Sequence, residues 1–106
     1  MYFWLGFSHL LLERPELARD AFVRCLSANP NLVWTHLWIT GTYGLLGDIE
    51  RARAALRQFL SLRPDLCSIT RLRAEGNYKS MDHPRFVSLR AKTLEAGLRV
   101  AGLPDE

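Results

Sequence analysis

The sequence predicts an all-α fold: two stacked helix–turn–helix repeats, an α-solenoid fragment, closed by a short helix and a C-terminal capping helix. Three observations carry this reading. Pro30 and Pro64 stand 34 residues apart, and the chain laid on itself at that offset pairs Leu5 with Ile39, His9 with Tyr43, Ala18 with Ala52, Phe22 with Leu56 and Leu26 with Leu60. A fixed period of this length marks a repeated supersecondary unit. Apolar residues recur three and four apart over 16–27 and again over 49–62, which is the period of a helix with one buried face. Breakers then fall between the periodic stretches, at Pro15, Asn29-Pro30-Asn31 and Gly47-Asp48.

Each element follows from its residues. Residues 2–12 are apolar and of helical length, about half the roughly 20 residues a membrane span needs. They lack the basic start and small-residue cleavage site of a secretory signal. The run begins with no capping residue ahead of it, so the expectation is a piece of a longer protein, with Met1 an internal methionine or an introduced start. Pro15 suits the first turn of the next helix. Over Glu16 to Ser27, Leu17, Ala18, Ala21, Phe22, Cys25 and Leu26 face inward, and Arg19, Asp20 and Arg24 take the other side. Asn29-Pro30-Asn31 ends that helix and Asn31 caps the next. Residues 32–46 form a third helix, apolar almost throughout, stopped by Gly47. Asp48 caps a fourth, Ile49 to Leu62, with Ala52, Ala55, Leu56, Phe59 and Leu60 inward and Arg51, Arg57 and Gln58 outward. Asp65 is expected to cap a short helix from Leu66 to about Arg73, with Ile69 and Leu72 as its contacts. A loop over 74–81 follows, and Asp82-His83-Pro84 opens a last helix whose apolar positions are Phe86, Leu89, Leu94, Leu98 and Val100.

Composition bounds the function. A chain of 106 residues holds one small domain, and 48% hydrophobic with 24% charged residues places it outside the disordered class. Lys and Arg number 14 against 11 Asp and Glu, a mild excess; only Lys79 and Lys92 are lysines, so there is no Lys-rich nucleic-acid arm. Cys25 and Cys67 form no CxxC and no dense framework, which fits a reducing, cytoplasmic setting.

The repeat residues resemble the tetratricopeptide repeat. Tyr2, Leu5, Gly6, His9, Ala18, Phe22, Cys25 and Pro30 follow that motif in a first repeat over about 1–30. His36, Ile39, Thr40, Tyr43, Ala52, Leu56, Phe59 and Pro64 follow it in a second over 31–64, with His36, Thr40 and Phe59 standing where the motif has an aromatic, Gly and a small residue. Residues 65–106 form the separate closing segment. Its Leu98-Arg99-Val100-Ala101-Gly102-Leu103-Pro104-Asp105, with the stretch 72–86, resembles the tail after such repeats in bacterial class III adenylate/guanylate cyclases. The resemblance implies a non-catalytic, C-terminal regulatory segment of a longer bacterial signalling protein whose missing part makes a cyclic nucleotide.

No constellation for chemistry emerges. His9 and His36 sit where the repeat packs aromatics, and His83 stands beside Pro84 at a helix start; none has a Cys or carboxylate at ligand spacing, so no metal is expected. Cys25 reads as a small core hydrophobe, and Cys67 lies near a helix start without a His partner. Gly41-Thr42-Tyr43-Gly44-Leu45-Leu46-Gly47 lacks the preceding strand and following Lys-Ser/Thr of a phosphate loop. The acidic residues cluster at helix starts, where they favour the dipole. No cofactor and no catalytic residue are expected. From Leu66 to Val100, the basic Arg71, Arg73, Lys79, Arg85, Arg90, Lys92 and Arg99 have only Tyr78 and Phe86 as aromatic neighbours, so they read as a solvated helix face rather than a nucleic-acid surface.

The informative surface is the concave face of the first helix of each repeat. By register it comprises Phe3, Phe7, Leu10 and Leu11, then Trp34, Leu37, Gly41, Gly44 and Leu45. An apolar patch of several hundred Å² demands a cover. That cover is the chain's own C-terminal helix laid in through Phe86, Leu89 and Leu94, a second copy of the chain as a homodimer, or a partner's amphipathic segment. The reading is a protein-interaction or self-association module. Alternatives are an apolar small-molecule or lipid groove opened at Gly41 and Gly44, and a nucleic-acid adaptor using Arg71 and Arg73.

Overall fold

The computed structural model describes residues 9, 10, 12–75 and 88–105, and every element among them is helical. They are α1 (Pro15–Ala28), α2 (Val33–Leu46), α3 (Ile49–Leu62), α4 (Ile69–Ala74) and α5 (Ala96–Ala101). A π-helical turn, Ala91–Glu95, runs directly into α5.

The amphipathic pair α1 and α3 bury one stripe each: Ala18, Ala21, Phe22 and Cys25 from α1, and Ala52, Leu56 and Phe59 from α3. Between them lies α2, buried without a break from Thr35 to Thr42 and again at Gly44. A helix apolar on all sides belongs inside, and its polar residues are satisfied locally. Thr40 Oγ1 donates to the His36 carbonyl (2.6 Å) and Thr42 Oγ1 to that of Trp38 (2.8 Å). Both hydroxyls are thereby paid within one turn, so neither threonine opposes burial. His36 Nε2 donates to the Pro30 carbonyl at 2.7 Å, tying the α1–α2 connection to the core. Leu94, Leu98, Ala101 and Leu103 from the C-terminal segment join the same apolar cluster as Phe22, Leu37, Phe59 and Leu72.

Three helix ends share one hydrogen-bond pattern. At each, a left-handed residue lets two successive amides reach back to the last turn. Gly47 (φ +77°) and Asp48 donate to Gly44 and Tyr43; Gly102 (φ +109°) and Leu103 donate to Arg99 and Leu98. At the first end, Glu13 and Arg14 donate to Leu10 and His9, and the left-handed residue is Glu13 (φ +60°). Glu13 falls 34 residues before Gly47, so the two repeats turn the same corner with different residues.

Local expectations are revised at several places. No side chain caps α2: its N-cap is Leu32, while Asn29 Oδ1 accepts from the Asn31 amide within the turn. The short helix α4 begins at Ile69 rather than Leu66, with Ser68 accepting from the Arg71 amide (3.2 Å). Asp65 pairs instead with Arg63, whose hydrogen bonds hold its carboxyl below the usual range. That exposed pair stabilises weakly, and only above the carboxylate range, fading as pH falls through the lowered value. Leu17, Leu89 and Val100 are 49%, 37% and 46% exposed rather than inward. The loop over 76–81 and the Asp82-His83-Pro84 start, with Tyr78, Lys79, Arg85 and Phe86, lie outside the described residues, as do Tyr2, Leu5 and Gly6.

A non-glycine residue in the left-handed region costs about 1 kcal/mol, partly offset by glycine's freedom in the unfolded chain. Glu13→Gly should therefore raise stability by about 0.5–1 kcal/mol in urea unfolding, and Gly47→Glu should lower it by a similar amount.

Candidate functional site

The site follows from the two sides of α2. At 100° per residue, Leu37, Gly41 and Gly44 fall on one side, and His36, Ile39 and Tyr43 on the other. The first side is covered by the C-terminal helix at contact distance of the backbones. A Cβ on Gly41 would lie 2.6 Å from Leu94 Cδ1, and one on Gly44 would lie 2.7 Å from Gly97 Cα and overlap the Gly97 carbonyl. The relation is reciprocal, because a Cβ on Gly97 would overlap the Gly41 carbonyl. Three glycines thus set how closely the two helices cross.

The residues assigned to the concave face are placed accordingly. Leu10 and Leu37 are fully buried core residues, and Gly41 and Gly44 lie beneath Leu94 and Gly97. Trp34 is half-buried, its ring 6.3 Å from that of Phe59, and Leu45 is half-buried against the core. Phe3, Phe7 and Leu11 lie outside the described residues. The occupant of this face is the chain's own segment, seated through Leu94, Gly97 and Leu98. Leu89, assigned to the same seat, stays 37% exposed. The space a small apolar ligand would need over Gly41 and Gly44 is filled by backbone.

The same segment carries a buried ion network that the sequence did not disclose. Arg90 and Glu95 are 3% and 1% exposed. The Glu95 carboxylate lies 3.5 Å from Arg90 Nε and accepts from the Arg73 guanidinium of α4. In an α-helix, residues five apart point away from each other; the π turn, with its i to i+5 bonding, brings 90 and 95 onto one face. The expected solvated basic face is corrected at Arg90, while Arg71, Arg73, Lys92 and Arg99 are exposed as expected. Arg90 is interior, Arg73 pairs with Glu95, and Arg99 pairs with Asp105 at 2.7 Å. The signal available was a carboxylate at 95 inside an apolar Leu94–Leu98 stretch.

The tail closes α4. The Ile69 amide donates to the Pro104 carbonyl (2.9 Å), and the Thr70 amide and hydroxyl both donate to that of Asp105 (3.0 and 2.7 Å). With Ser68 taking the Arg71 amide, the first three amides of α4 are all satisfied.

His36 and Cys25 occupy packing positions. His36 is 7% exposed and bonded to backbone, His9 is half-buried, and His83 lies outside the described residues. Cys25 Sγ is buried 3.5 Å from Thr35 Oγ1, while Cys67 is exposed ahead of α4. Among the described residues no three His, Cys, Asp or Glu side chains converge, and no helix is long and apolar enough to cross a membrane.

On the other side of α2, where His36 and Ile39 are themselves buried, the described residues leave a cleft. Between α1 and α3 runs a cleft of about 510 Å³, floored by Ile39 and Tyr43 and walled by Val23, Leu26, Ala54 and Ala55. Val23 there is 42% exposed. Arg51 and Gln58 stand on its α3 wall.

Among protein families, the tetratricopeptide repeat matches residues 1–32 and 41–66, together more than half of the chain. No curated protein and no solved structure matches the chain at a significant level.

Substitutions at two positions test this geometry. In an unobstructed helix Gly97→Ala would stabilise by up to about 1 kcal/mol. Here the added methyl meets the Gly41 backbone, so a loss of about 1–3 kcal/mol is expected in urea unfolding. Glu95→Ala, which leaves the interior Arg90 without this carboxylate, should cost about 3 kcal/mol or more, with Glu95→Gln intermediate in the same assay.

Proposed function

The chain belongs to the tetratricopeptide repeat family, and from that premise we propose that it is a non-catalytic module that holds a protein partner through the α1–α2–α3 cleft. Repeats of this family are non-catalytic and generally mediate protein–protein interaction. The observation that carries the choice of surface is the division of α2: one side is covered by the C-terminal segment, and along the other the described residues leave a cleft with apolar walls. An apolar cleft with small residues at its edge, here Ala54, Ala55 and Ser27, suits close approach of another helix.

The occupant in this proposal is a second copy, so that the module brings two parent chains together. The tail Leu98–Asp105 supports a parent of the bacterial adenylate/guanylate cyclase kind, whose catalytic centre forms between two such domains. In that setting a C-terminal pairing device is a regulatory element, and the setting is the cytoplasm.

Light scattering over a concentration series tests this. The mass should rise from monomer to dimer, and Ala54→Glu, at an exposed position in the cleft, should hold it at monomer with an unchanged melting temperature. A monomer at every concentration would refute pairing through the cleft. Trp34→Asp is a poor probe, since Trp34 packs on Phe59 and its loss would lower stability as well as change the surface.

A further inference from the structure

A second groove lies on the far flank of α3, where α5 ends. Among the described residues it is lined by Glu50, Arg53, Leu56, Arg57 and Ala101 and encloses about 580 Å³. Leu56 and Ala101, at 8% and 2% exposure, form an apolar floor; Glu50, Arg53 and Arg57 are exposed along its wall. Four other arginines of the described residues have a neighbouring carboxylate: Arg19 with Asp20, Arg51 with Asp48, Arg63 with Asp65, Arg99 with Asp105. Arg53 and Arg57 have no ion pair among the described residues. They stand four apart on one helix, where like charges repel and are placed one above the other.

We infer that this groove docks an acidic amphipathic helix of a partner protein, with carboxylates at i and i+4 meeting Arg53 and Arg57. The inference rests on the reading of the chain as an interaction module, but it names a different surface and a different partner from the second copy. Charge complementarity selects the occupant. Two guanidiniums one helical turn apart match two carboxylates at the same spacing, and guanidinium–carboxylate pairs supply directional hydrogen bonds. The Leu56–Ala101 floor takes an apolar side chain carried between them. Glu50, one turn before Arg53, sets polarity: it favours a basic residue at the corresponding end of the partner helix. A nucleic-acid strand fits less well, because Glu50 repels phosphate and no lining residue is aromatic for base stacking.

The test uses a fluorescein-labelled, alanine-based helical peptide of about 15 residues, with glutamates at i and i+4 and leucine at i+3. Its twin carries lysines in place of the glutamates. Fluorescence anisotropy at low salt should show the glutamate peptide binding and the lysine peptide binding at least about tenfold more weakly. In Arg53→Glu/Arg57→Glu protein the preference should invert, with the lysine peptide regaining the lost affinity. These positions are exposed, and an unchanged circular dichroism spectrum verifies the fold of the variant. Equal binding of both peptides, binding of neither, or failure of the charge swap to invert the preference would overturn the inference. So would a single-stranded DNA probe that binds more tightly than the glutamate peptide and is lost in the variant. Light scattering on the same samples separates the two proposals: dimerisation with no peptide preference overturns the groove alone, and peptide preference in a strict monomer overturns the pairing alone.

Discussion

The close crossing of α2 by the C-terminal helix is the constraint on which the rest of the structure depends. At Gly41, Gly44 and Gly97 the two backbones touch, and only residues without a Cβ allow that separation. Because α2 is buried, its threonine hydroxyls are satisfied inside the protein, those of Thr40 and Thr42 on its own backbone and that of Thr35 at Cys25 Sγ. Because the crossing helix delivers Leu94 and Leu98 to the core, the second repeat does not end on an exposed apolar face. Repeat units bury their faces only against neighbours, and here the neighbour is this short segment.

The crossing in turn requires the C-terminal segment to be held in one register. Two devices do this from opposite ends. The π turn aligns Arg90 with Glu95 and lets that carboxylate reach Arg73 of α4. The tail beyond Gly102 returns to the same helix α4, where its carbonyls satisfy the amides of Ile69 and Thr70. A buried ion network is a weak source of net stability but a strict one in geometry, since any slip leaves charge unpaired in the interior. We regard α4 as the strut against which the C-terminal helix is set.

Much of the repeat was readable from residues alone, for stated physical reasons. The bounds of α3, the stop at Gly47 and the cap at Asp48 were anticipated, because a left-handed glycine and a capping carboxylate are local signals. Burial along α1 was misjudged at Leu17, since one helical face is wider in sequence than the neighbours that cover it. The C-terminal helix was misjudged for a different reason. At 100° per residue Leu89 and Val100 fall about 180° and about 160° from Leu98, so their apolar character and not their register suggested burial, and both are exposed. The glycine face of α2 was visible as a demand for close approach; that the answering residue is Gly97 depended on a tertiary contact between residues more than fifty apart in the chain. Ser68 displaced Asp65 as a cap because Asp65 is engaged by Arg63.

The functional consequence is a change of face. With the glycine face of α2 filled by the chain's own segment, the cleft between α1 and α3 and the flank of α3 are the surfaces that the two proposals assign to partners. The central claim is therefore the seating of the C-terminal helix on α2, and the most direct measurement is a nuclear Overhauser spectrum of the isotope-labelled chain. A strong contact between the α-protons of Gly44 and Gly97 is the result the structure requires. Absence of that contact, in a sample where contacts between α2 and α3 are seen, would contradict it and return the glycine face to the list of open surfaces.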